Sequence, residues 1–232
     1  MIRLSPTTGL NLYRECPRCF WLHYNKRVQR PRGIFPSLPS GMDLVIKKYF
    51  DQYRGSLPPE LHGKVEGQLL KDTALMDKWR DWRTGLEYVD QEIGATLFGA
   101  LDDCLTITAA PTDGLFDQEV RYIPLDYKTK GSAPRDGDSE RYYQTQLDAY
   151  ALMLNSNGFL VADFAYLIYY YPARVEKNGL VHFNIEPVRV STSVDRVKKL
   201  FAEAVSVLKG PQPKRHLNCE YCVWLMNRAE VE

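Results

Sequence analysis

The residues with the clearest chemical potential lie in one short segment, Pro124-Leu125-Asp126-Tyr127-Lys128. This segment reads as the end of a β-strand. Side chains alternate across a strand, so we expect Asp126 and Lys128 to leave the same face. A carboxylate beside an ammonium group can hold a divalent cation and stabilise the charge that develops on a phosphate under attack. Because any exposed strand can read D-x-K, the pair needs support from the rest of the chain.

A second carboxylate, Asp102, follows Gly99 by three residues. Residues 96–107 are expected to form the strand that precedes the one carrying Asp126. If the two strands pair as a hairpin, Asp102 lies near Asp126, and two carboxylates beside a lysine suit Mg²⁺ or Mn²⁺. Asp103 would face the other side of a regular strand and is the weaker candidate. The alternative interpretation is that Asp102 is a solvent-exposed carboxylate at the end of a strand, without a role in a site.

A predicted helix over residues 139–154 carries Gln146 and Tyr150 four positions apart, so the two side chains share one face. An amide and a phenol that point to the same place can orient a lysine or contact a phosphate. An ordinary amphipathic helix can show the same pattern. The carboxylate–lysine segment just before this helix favours the interpretation as a site.

Four of the five cysteines form two C-x-x-C pairs, Cys16 with Cys19 and Cys219 with Cys222. If the pairs meet in space, they form a four-thiolate site of the kind that holds structural Zn²⁺ or an iron–sulfur cluster. The spacing alone does not distinguish these two occupants. Either one would join the N- and C-terminal segments of the chain. Cys104 lies within a predicted strand and is interpreted as a packing residue.

The order of predicted elements is helix, helix, strand, strand, helix, strand, strand, helix. This order predicts an α/β domain with a mixed central sheet flanked by helices. We expect residues 1–232 to form a single domain, in which 1–25 and 211–232 build the cysteine subdomain and 55–90 form a helical insertion. Residues 33–40 are rich in proline and are expected to form a loop before a helix over 41–54.

The composition excludes several classes of protein. The chain has 232 residues, 44% hydrophobic and 25% charged, with a formal net charge of +1, so its overall charge does not indicate a nucleic-acid binder. No stretch approaches the roughly 20 apolar residues that a membrane span needs, and the start of the chain has no secretion signal. We therefore expect a cytoplasmic protein without a membrane partner, in which cysteines bind metal more often than they form disulfides.

Three short motifs follow one another along the chain: G-x-x-D over 99–102, P-x-D-x-K over 124–128 and Q-x-x-x-Y over 146–150. Together they resemble the motifs of the PD-(D/E)xK nuclease superfamily, and the Q-x-x-x-Y element resembles its RecB-like branch. With the cysteine pairs, the chain is similar to the CRISPR-associated RecB-like exonucleases and to the nuclease domain of AddB with its cysteine-bound cluster. The resemblance covers nearly the whole chain and implies a restriction-endonuclease-like core.

The resemblance implies a metal-dependent DNA nuclease. In this hypothesis Asp102, Asp126 and the backbone carbonyl of Tyr127 hold Mg²⁺ or Mn²⁺. Lys128 stabilises charge on the phosphate, and Gln146 and Tyr150 orient Lys128 or the DNA strand. The implied activity is exonucleolytic, on single-stranded DNA or opened duplex ends, in a recombination or CRISPR adaptation complex. The resemblance also favours a [4Fe–4S] cluster over Zn²⁺, although the family more often divides its cysteines one and three.

The chain departs from the family at one further position. The family carries a histidine four residues after a glycine on the early helix, where this chain has Val45 after Gly41. Asp43 or His62 could replace that ligand. The departure keeps a second hypothesis open, a catalytically weak or inactive nuclease fold that binds DNA or a partner. A third hypothesis is a structural protein in which Zn²⁺ bound by the cysteines joins the N- and C-terminal segments.

Overall fold

The computed structural model describes residues 1–31, 33, 37–108 and 119–229. The α-helices in this part of the chain are α1, Asn11–Glu15; α2, Pro17–Lys26; α3, Ser37–Phe50; α4, Thr73–Arg80; α5, Asp138–Ser156; α6, Val194–Lys209; and α7, Glu220–Ala229. The strands are β1, Ile2–Leu4; β2, Gln68–Leu69; β3, Leu86–Asp90; β4, Ala95–Gly99; β5, Asp103–Thr108; β6, Val120–Thr129; β7, Phe164–Val175; and β8, Val181–Ser191. No helix in the described ranges is both long and apolar enough to cross a membrane.

The strands form two sheets. Five of them lie in the order β2-β5-β6-β7-β8, in which β6 and β7 run parallel and the other neighbours run antiparallel. The remaining three lie in the order β1-β4-β3, with β1 parallel to β4. The larger sheet is therefore mixed. Helices flank it, which confirms the predicted α/β class.

The larger sheet buries both of its faces against helices. One face packs against α5 and α6, in a core that includes Leu147, Leu167 and Phe201. The other face packs against α3, where Ile46 and Phe50 contact the second core. The central strands β6 and β7 are apolar on both faces because both faces are covered. A polar side chain on these strands is therefore either partnered or functional.

Side-chain caps fix where several helices begin. Ser5 accepts hydrogen bonds from the backbone amides of Thr8 and Gly9, at the start of a π-helical turn over Pro6–Leu10 that runs into α1. Ser193 caps α6 by accepting from the amide of Arg196 at 3.2 Å. These starts agree with the positions expected from the sequence. The proline after Ser5 is tolerated because the first turn of a helix has no partner for its amide.

The predicted strand over 96–107 is wrong, because the structure divides it into β4 and β5. The chain leaves the smaller sheet after Gly99 and enters the larger sheet at Asp103. The Leu101 amide donates to the Trp79 carbonyl at 2.9 Å, which holds the crossing segment against α4. A Cβ at Gly99 would lie 3.1 Å from Met153 Cε, so the glycine lets α5 approach closely.

Two other expectations differ from the structure. Helix α3 begins at Ser37, inside the expected loop over 33–40, and residues 34–36 lie outside the described ranges. A proline near the start of a helix is compatible with that early beginning. Residues 55–90, expected as a helical insertion, contain one α-helix and one 3₁₀ turn but also the strands β2 and β3. This range therefore links the two sheets.

Candidate active site

Strand β6 presents Asp126 and Lys128 on the face that packs against α5. The Asp126 side chain is fully buried, and its Oδ2 atom forms an ion pair with the Lys128 ammonium group. Lys128 also lies over the Tyr143 ring, with Nζ 4.6 Å from the ring centroid. A buried carboxylate needs such a counterion, because burial without one would force it to become neutral. Side chains alternate along β6, so Asp126 and Lys128 lie on the same face of the strand, and that face packs against α5.

Helix α5 contributes one amide that contacts both charged groups. Gln146 Nε2 donates to Asp126 Oδ1 at 2.8 Å, and Gln146 Oε1 accepts from Lys128 Nζ at 3.2 Å. Gln146 Nε2 also lies 2.6 Å from the hydroxyl oxygen of Tyr150, one helical turn further along. Gln146 therefore fixes the separation of the carboxylate and the ammonium group. Tyr150 is buried behind it and limits its rotation.

Burial and charge set opposite protonation tendencies for the two aspartates. Burial raises the pKa of Asp126 to about 7, with Lys128 opposing the shift and Asp102 adding to it. Burial also disfavours the charged form of Asp102, but Lys47 and Lys128 outweigh it and hold the pKa of Asp102 below its usual value. The two carboxylates are therefore close enough to influence each other. Such a pair suits a cation, which would satisfy both.

Asp102 lies in the crossing segment between the sheets and faces helix α3. Its Oδ1 atom accepts from Lys47 Nζ at 2.8 Å, and the same ammonium group donates to Asp43 Oδ2 at 2.8 Å. Burial alone would lower the pKa of Lys47, but Asp102 and Asp43 outweigh it and leave it raised. A cleft of about 500 Å³ opens beside these groups, lined by Pro39, Ser40, Asp43, Leu44 and Asp102. Asp43 and Asp102 are therefore accessible from solvent, whereas Asp126 is buried behind them.

Asp103, the weaker sequence candidate, has a supporting position on the opposite face. Its buried carboxylate accepts two hydrogen bonds from Arg54, at 2.6 and 2.8 Å, and one from Arg80 at 2.8 Å. The Tyr127 hydroxyl donates to the same carboxylate at 2.6 Å. Tyr127 lies between Asp126 and Lys128 on β6. The Asp103 network therefore anchors the strand that carries the candidate site.

The backbone carbonyl of Tyr127 is directed away from β7. Backbone groups alternate in direction along a strand, and the Lys130 amide donates to the Tyr170 carbonyl of β7 at 2.9 Å. The Tyr127 carbonyl therefore points to the β5 edge of β6. The last pair between β5 and β6 is Asp103 with Leu125, so β5 does not reach Tyr127. This oxygen lies on the same side as the segment that carries Asp102.

The structure separates the residues considered as substitutes for the family histidine. Val45 is 65% exposed and lies on the outer face of α3. His62 is exposed, and its Nε2 atom is 2.9 Å from the Leu57 carbonyl oxygen. Asp43 reaches the site, where it shares the Lys47 ammonium group with Asp102. Of the three positions, only Asp43 is linked to Asp102 by a described contact.

Sequence reasoning missed Lys47 and the two arginines that hold Asp103. Lys47 follows Asp43 by four residues on a predicted helix, so the sequence did place the two side chains on one face. No local signal indicated that this face meets Asp102. Arg54 and Arg80 come from segments that are distant from Asp103 along the chain, and only the tertiary fold brings them together.

The four paired cysteines meet in a buried cluster. Their sulfur atoms all lie within 4.8 Å of one another, with Cys16 and Cys222 at 3.7 Å and Cys19 and Cys219 at 3.7 Å. Cys16 caps α2, and its sulfur accepts from the Cys19 amide at 3.4 Å. Burial disfavours the Cys219 thiolate, but the Cys222 amide and the neighbouring thiols outweigh it and lower the pKa of Cys219 to about 7. The donor set fits a thiophilic metal.

Comparison with known families agrees with this geometry. The family model described as the PD-(D/E)XK nuclease superfamily matches residues 65–226, well over half of the chain. The chain belongs to the PD-(D/E)XK nuclease superfamily. The matched residues include Asp102, Asp126, Lys128, Gln146 and Tyr150, whereas α3 and the first cysteine pair precede them. No curated protein matches the sequence.

Proposed function

We propose that this protein is a metal-dependent nuclease that hydrolyses phosphodiester bonds in DNA. Asp102, Asp126 and the Tyr127 carbonyl would hold Mg²⁺ or Mn²⁺, and Lys128 would contact the phosphate. One observation carries the proposal: Gln146 bonds both Asp126 and Lys128 and fixes them on one face of β6. A site that holds a cation next to a phosphate requires a carboxylate and an ammonium group at a fixed separation, and Gln146 supports such a separation.

The residues present suit a hard divalent cation. Carboxylate and carbonyl oxygens are the ligands that Mg²⁺ and Mn²⁺ prefer. Asp126 Oδ2 touches Lys128 but, among the described residues, receives no well-directed hydrogen bond. A buried carboxylate oxygen with an incomplete set of partners is unusual unless another group approaches it. The Tyr127 carbonyl, which points to the β5 edge beyond the last β5–β6 pair, would add a third oxygen.

In the proposed reaction, the cation would activate the water, and side chains of the protein would stabilise and orient the reacting groups. A bound divalent cation lowers the pKa of a coordinated water and polarises the phosphate. Lys128 would stabilise the extra negative charge on the phosphoryl oxygens as the water oxygen bonds to phosphorus and the ester P–O bond breaks. Gln146 keeps the Lys128 ammonium group directed toward that position, and Tyr150 holds Gln146. A bound cation would favour the ionised form of Asp126, adding to the effect of Lys128 against burial.

We further propose exonucleolytic action on single-stranded DNA or opened duplex ends. The support is the resemblance to the RecB-like branch, which rests on the Q-x-x-x-Y element over 146–150 and on the cysteine pairs. We also propose a cytoplasmic protein that works, as the same resemblance implies, in a recombination or CRISPR adaptation complex. The resemblance also supports one domain over 1–232, in which 1–25 and 211–232 form a cysteine subdomain.

For the occupant of the cysteine site, we propose a single tetrahedral Zn²⁺ ion ahead of a [4Fe–4S] cluster. Four sulfurs bonded to one zinc at about 2.3 Å lie about 3.8 Å apart. The observed distances of 3.7 Å for two of the pairs match that value, and all four sulfurs lie within 4.8 Å of one another. A four-iron cluster holds its ligand sulfurs outside a cube of iron atoms and therefore needs a wider cage. Metal analysis and a visible spectrum of anaerobically purified protein distinguish the two, since only the cluster absorbs visible light.

A second candidate function is a nuclease fold that binds DNA or a partner without cutting it. The exposed Val45 supports it, because the early helix brings no histidine to the described site. Under this hypothesis the protein binds DNA ends in the presence of metal but leaves them intact. A cleavage assay and a binding assay on the same preparation therefore separate the two functions.

The decisive experiment is cleavage of end-labelled DNA by the wild type and by Lys128→Ala. Linear single strands, linear duplexes and circular single strands are each incubated with Mg²⁺, Mn²⁺ or EDTA. We expect metal-dependent cleavage of the linear substrates and a loss of about 10²- to 10³-fold in the variant. Lys130→Ala is the matched control, because the Lys130 ammonium group pairs with Asp138 instead.

The substrates also test the finer proposals. Cleavage of circular DNA would contradict exonucleolytic action. Unchanged cleavage by Lys128→Ala would contradict the assigned role of Lys128. If the folded wild type cuts no substrate with either metal but retains DNA ends, the binding function replaces the nuclease.

A further inference from the structure

Helix α3 supplies the site with a second ammonium group that the family motifs do not include. Lys47 Nζ lies 2.8 Å from one oxygen of Asp102 and 2.8 Å from one oxygen of Asp43. Its side chain is 21% exposed and is held by two carboxylates that line the cleft, so it is not a freely moving surface group. The lysine occupies the space between two carboxylates, which is where a bridging cation would lie in a site that held two metal ions.

The charges of the candidate site favour a single divalent ion. Three carboxylates, Asp43, Asp102 and Asp126, face two ammonium groups, Lys47 and Lys128. This set carries one net negative charge when every group is ionised. One divalent ion reverses the sign and leaves one positive charge, which matches the single negative charge of a phosphodiester. A second divalent ion would give the site three positive charges, more than the single negative charge of a phosphodiester could neutralise.

We propose that Lys47 takes the place of a second metal ion, so that the site binds one divalent cation between Asp102 and Asp126. This inference rests on the proposed metal-dependent hydrolysis. Lys47 supplies positive charge and holds Asp102 toward the cleft. Unlike a metal, it leaves no coordination position for a second water. Asp43 serves as the outer partner of Lys47 and reaches a metal only when Lys47 is removed.

The test counts bound Mn²⁺ ions by electron paramagnetic resonance, which detects the free ion in a titration. Mn²⁺ prefers oxygen ligands to thiolates, so the cysteine site contributes little. The wild type should bind one ion per chain. Lys47→Met should bind two, because Asp43 and Asp102 are then free to share a second ion. Lys47→Gln repeats the test with a polar side chain, in case the apolar one unfolds the helix.

Matched variants separate the role of Lys47 from a general loss of charge. Lys48→Met removes the same charge from the exposed side of α3 and should leave one ion. Lys47→Met combined with Asp43→Asn should return the count from two to one.

Two ions bound to the wild type, or one ion bound to both Lys47 variants, would overturn the inference and leave the proposed hydrolysis intact. No bound ion in any variant would overturn the proposed metal-dependent hydrolysis as well.

Discussion

The guanidinium group of Arg80 holds the backbone of Asp102, with Nε donating to the Asp102 carbonyl at 2.8 Å. Its Nη2 atom donates to the Asp103 carboxylate at 2.8 Å. One side chain from α4 therefore fixes two consecutive residues where the chain crosses between the sheets. Asp102 does not belong to a regular strand, so this contact replaces the ladder hydrogen bonds that would otherwise position it.

Replacement of Arg80 should impair catalysis through the position of Asp102. We expect Arg80→Lys to lower kcat by about 10²-fold, because a lysine cannot contact both residues at once and a displacement of about 1 Å is sufficient for such a loss. Cleavage kinetics and circular dichroism on the same samples measure the effect. Arg83→Lys, three residues further on and exposed, is the control. A variant with normal kcat would exclude Arg80 as a positioning residue.

The Asp103 network should contribute strongly to stability. Asp103→Asn leaves Arg54 and Arg80 partly unpaired in a buried environment, so we expect the free energy of unfolding to fall by about 3–5 kcal/mol. Urea denaturation measures the change. Asp136→Asn, in an exposed loop, should change it by less than about 0.5 kcal/mol. Equal effects of the two substitutions would contradict a special role for Asp103.

Gln146 should affect the rate more than Tyr150 does. Gln146→Ala removes the amide that fixes both Asp126 and Lys128, and we expect a loss of about 10²-fold in kcat. Tyr150→Phe removes one contact behind that amide and should reduce the rate by about fivefold, which corresponds to about 1 kcal/mol. Gln144→Ala, on the same helix but bonded to Asp148, is the control. A larger loss of kcat in Tyr150→Phe than in Gln146→Ala would contradict the proposal that Gln146 contacts the charged groups directly and Tyr150 only supports it.

Removal of one cysteine ligand should empty the metal site. Cys222→Ser should reduce the bound metal from about one equivalent to near zero and lower the melting temperature, because structural metal contributes directly to folding. Cys104→Ser is the matched control: Cys104 is buried outside the cluster, where its sulfur contacts the Leu105 carbonyl at 3.3 Å. Full metal content in Cys222→Ser would show that the four thiols do not act together.

Arg30 should strengthen metal retention at the cysteine site. Its Nη2 atom lies 3.5 Å from the Cys219 sulfur, its guanidinium stacks over Tyr221, and it pairs with Glu15. We expect Arg30→Ala to weaken metal affinity by about 10- to 100-fold, as for other partners of metal ligands. Competition with a chromogenic chelator measures this affinity. Arg27→Ala, exposed nearby, should retain the wild-type value. An unchanged affinity in Arg30→Ala would exclude the contact from metal binding.

Local patterns in the sequence were sufficient to predict the elements that carry the site. The alternation around Asp126 predicted a strand that ends near Lys128, and β6 ends at Thr129. The pattern of residues 139–154 predicted a helix, and α5 begins and ends within two residues of those bounds. These signals are strong because each element buries a regular face. The paired spacing of the cysteines likewise predicted a cluster that the structure brings together.

The arrangement around Asp102 could not be predicted in the same way. Residues 96–107 contain enough apolar and β-branched residues for one long strand, and the break depends on contacts with α4 that the local sequence does not show. The meeting of Lys47 with Asp102 joins residues 55 positions apart and depends on how α3 packs on the sheet. Tertiary contacts of this kind override local preference.

The separation of the two cysteine pairs has a consequence for biosynthesis. Cys19 and Cys219 lie 200 positions apart in the chain. At about 5–20 residues per second, the ribosome makes the second pair about 10–40 s after the first. Until then the early thiols have only half of their ligand set and remain open to oxidation or to other metals. A chain that ends before Cys219 lacks two of the four thiolates. Only chains that extend through Cys222 can therefore retain a metal with all four cysteines.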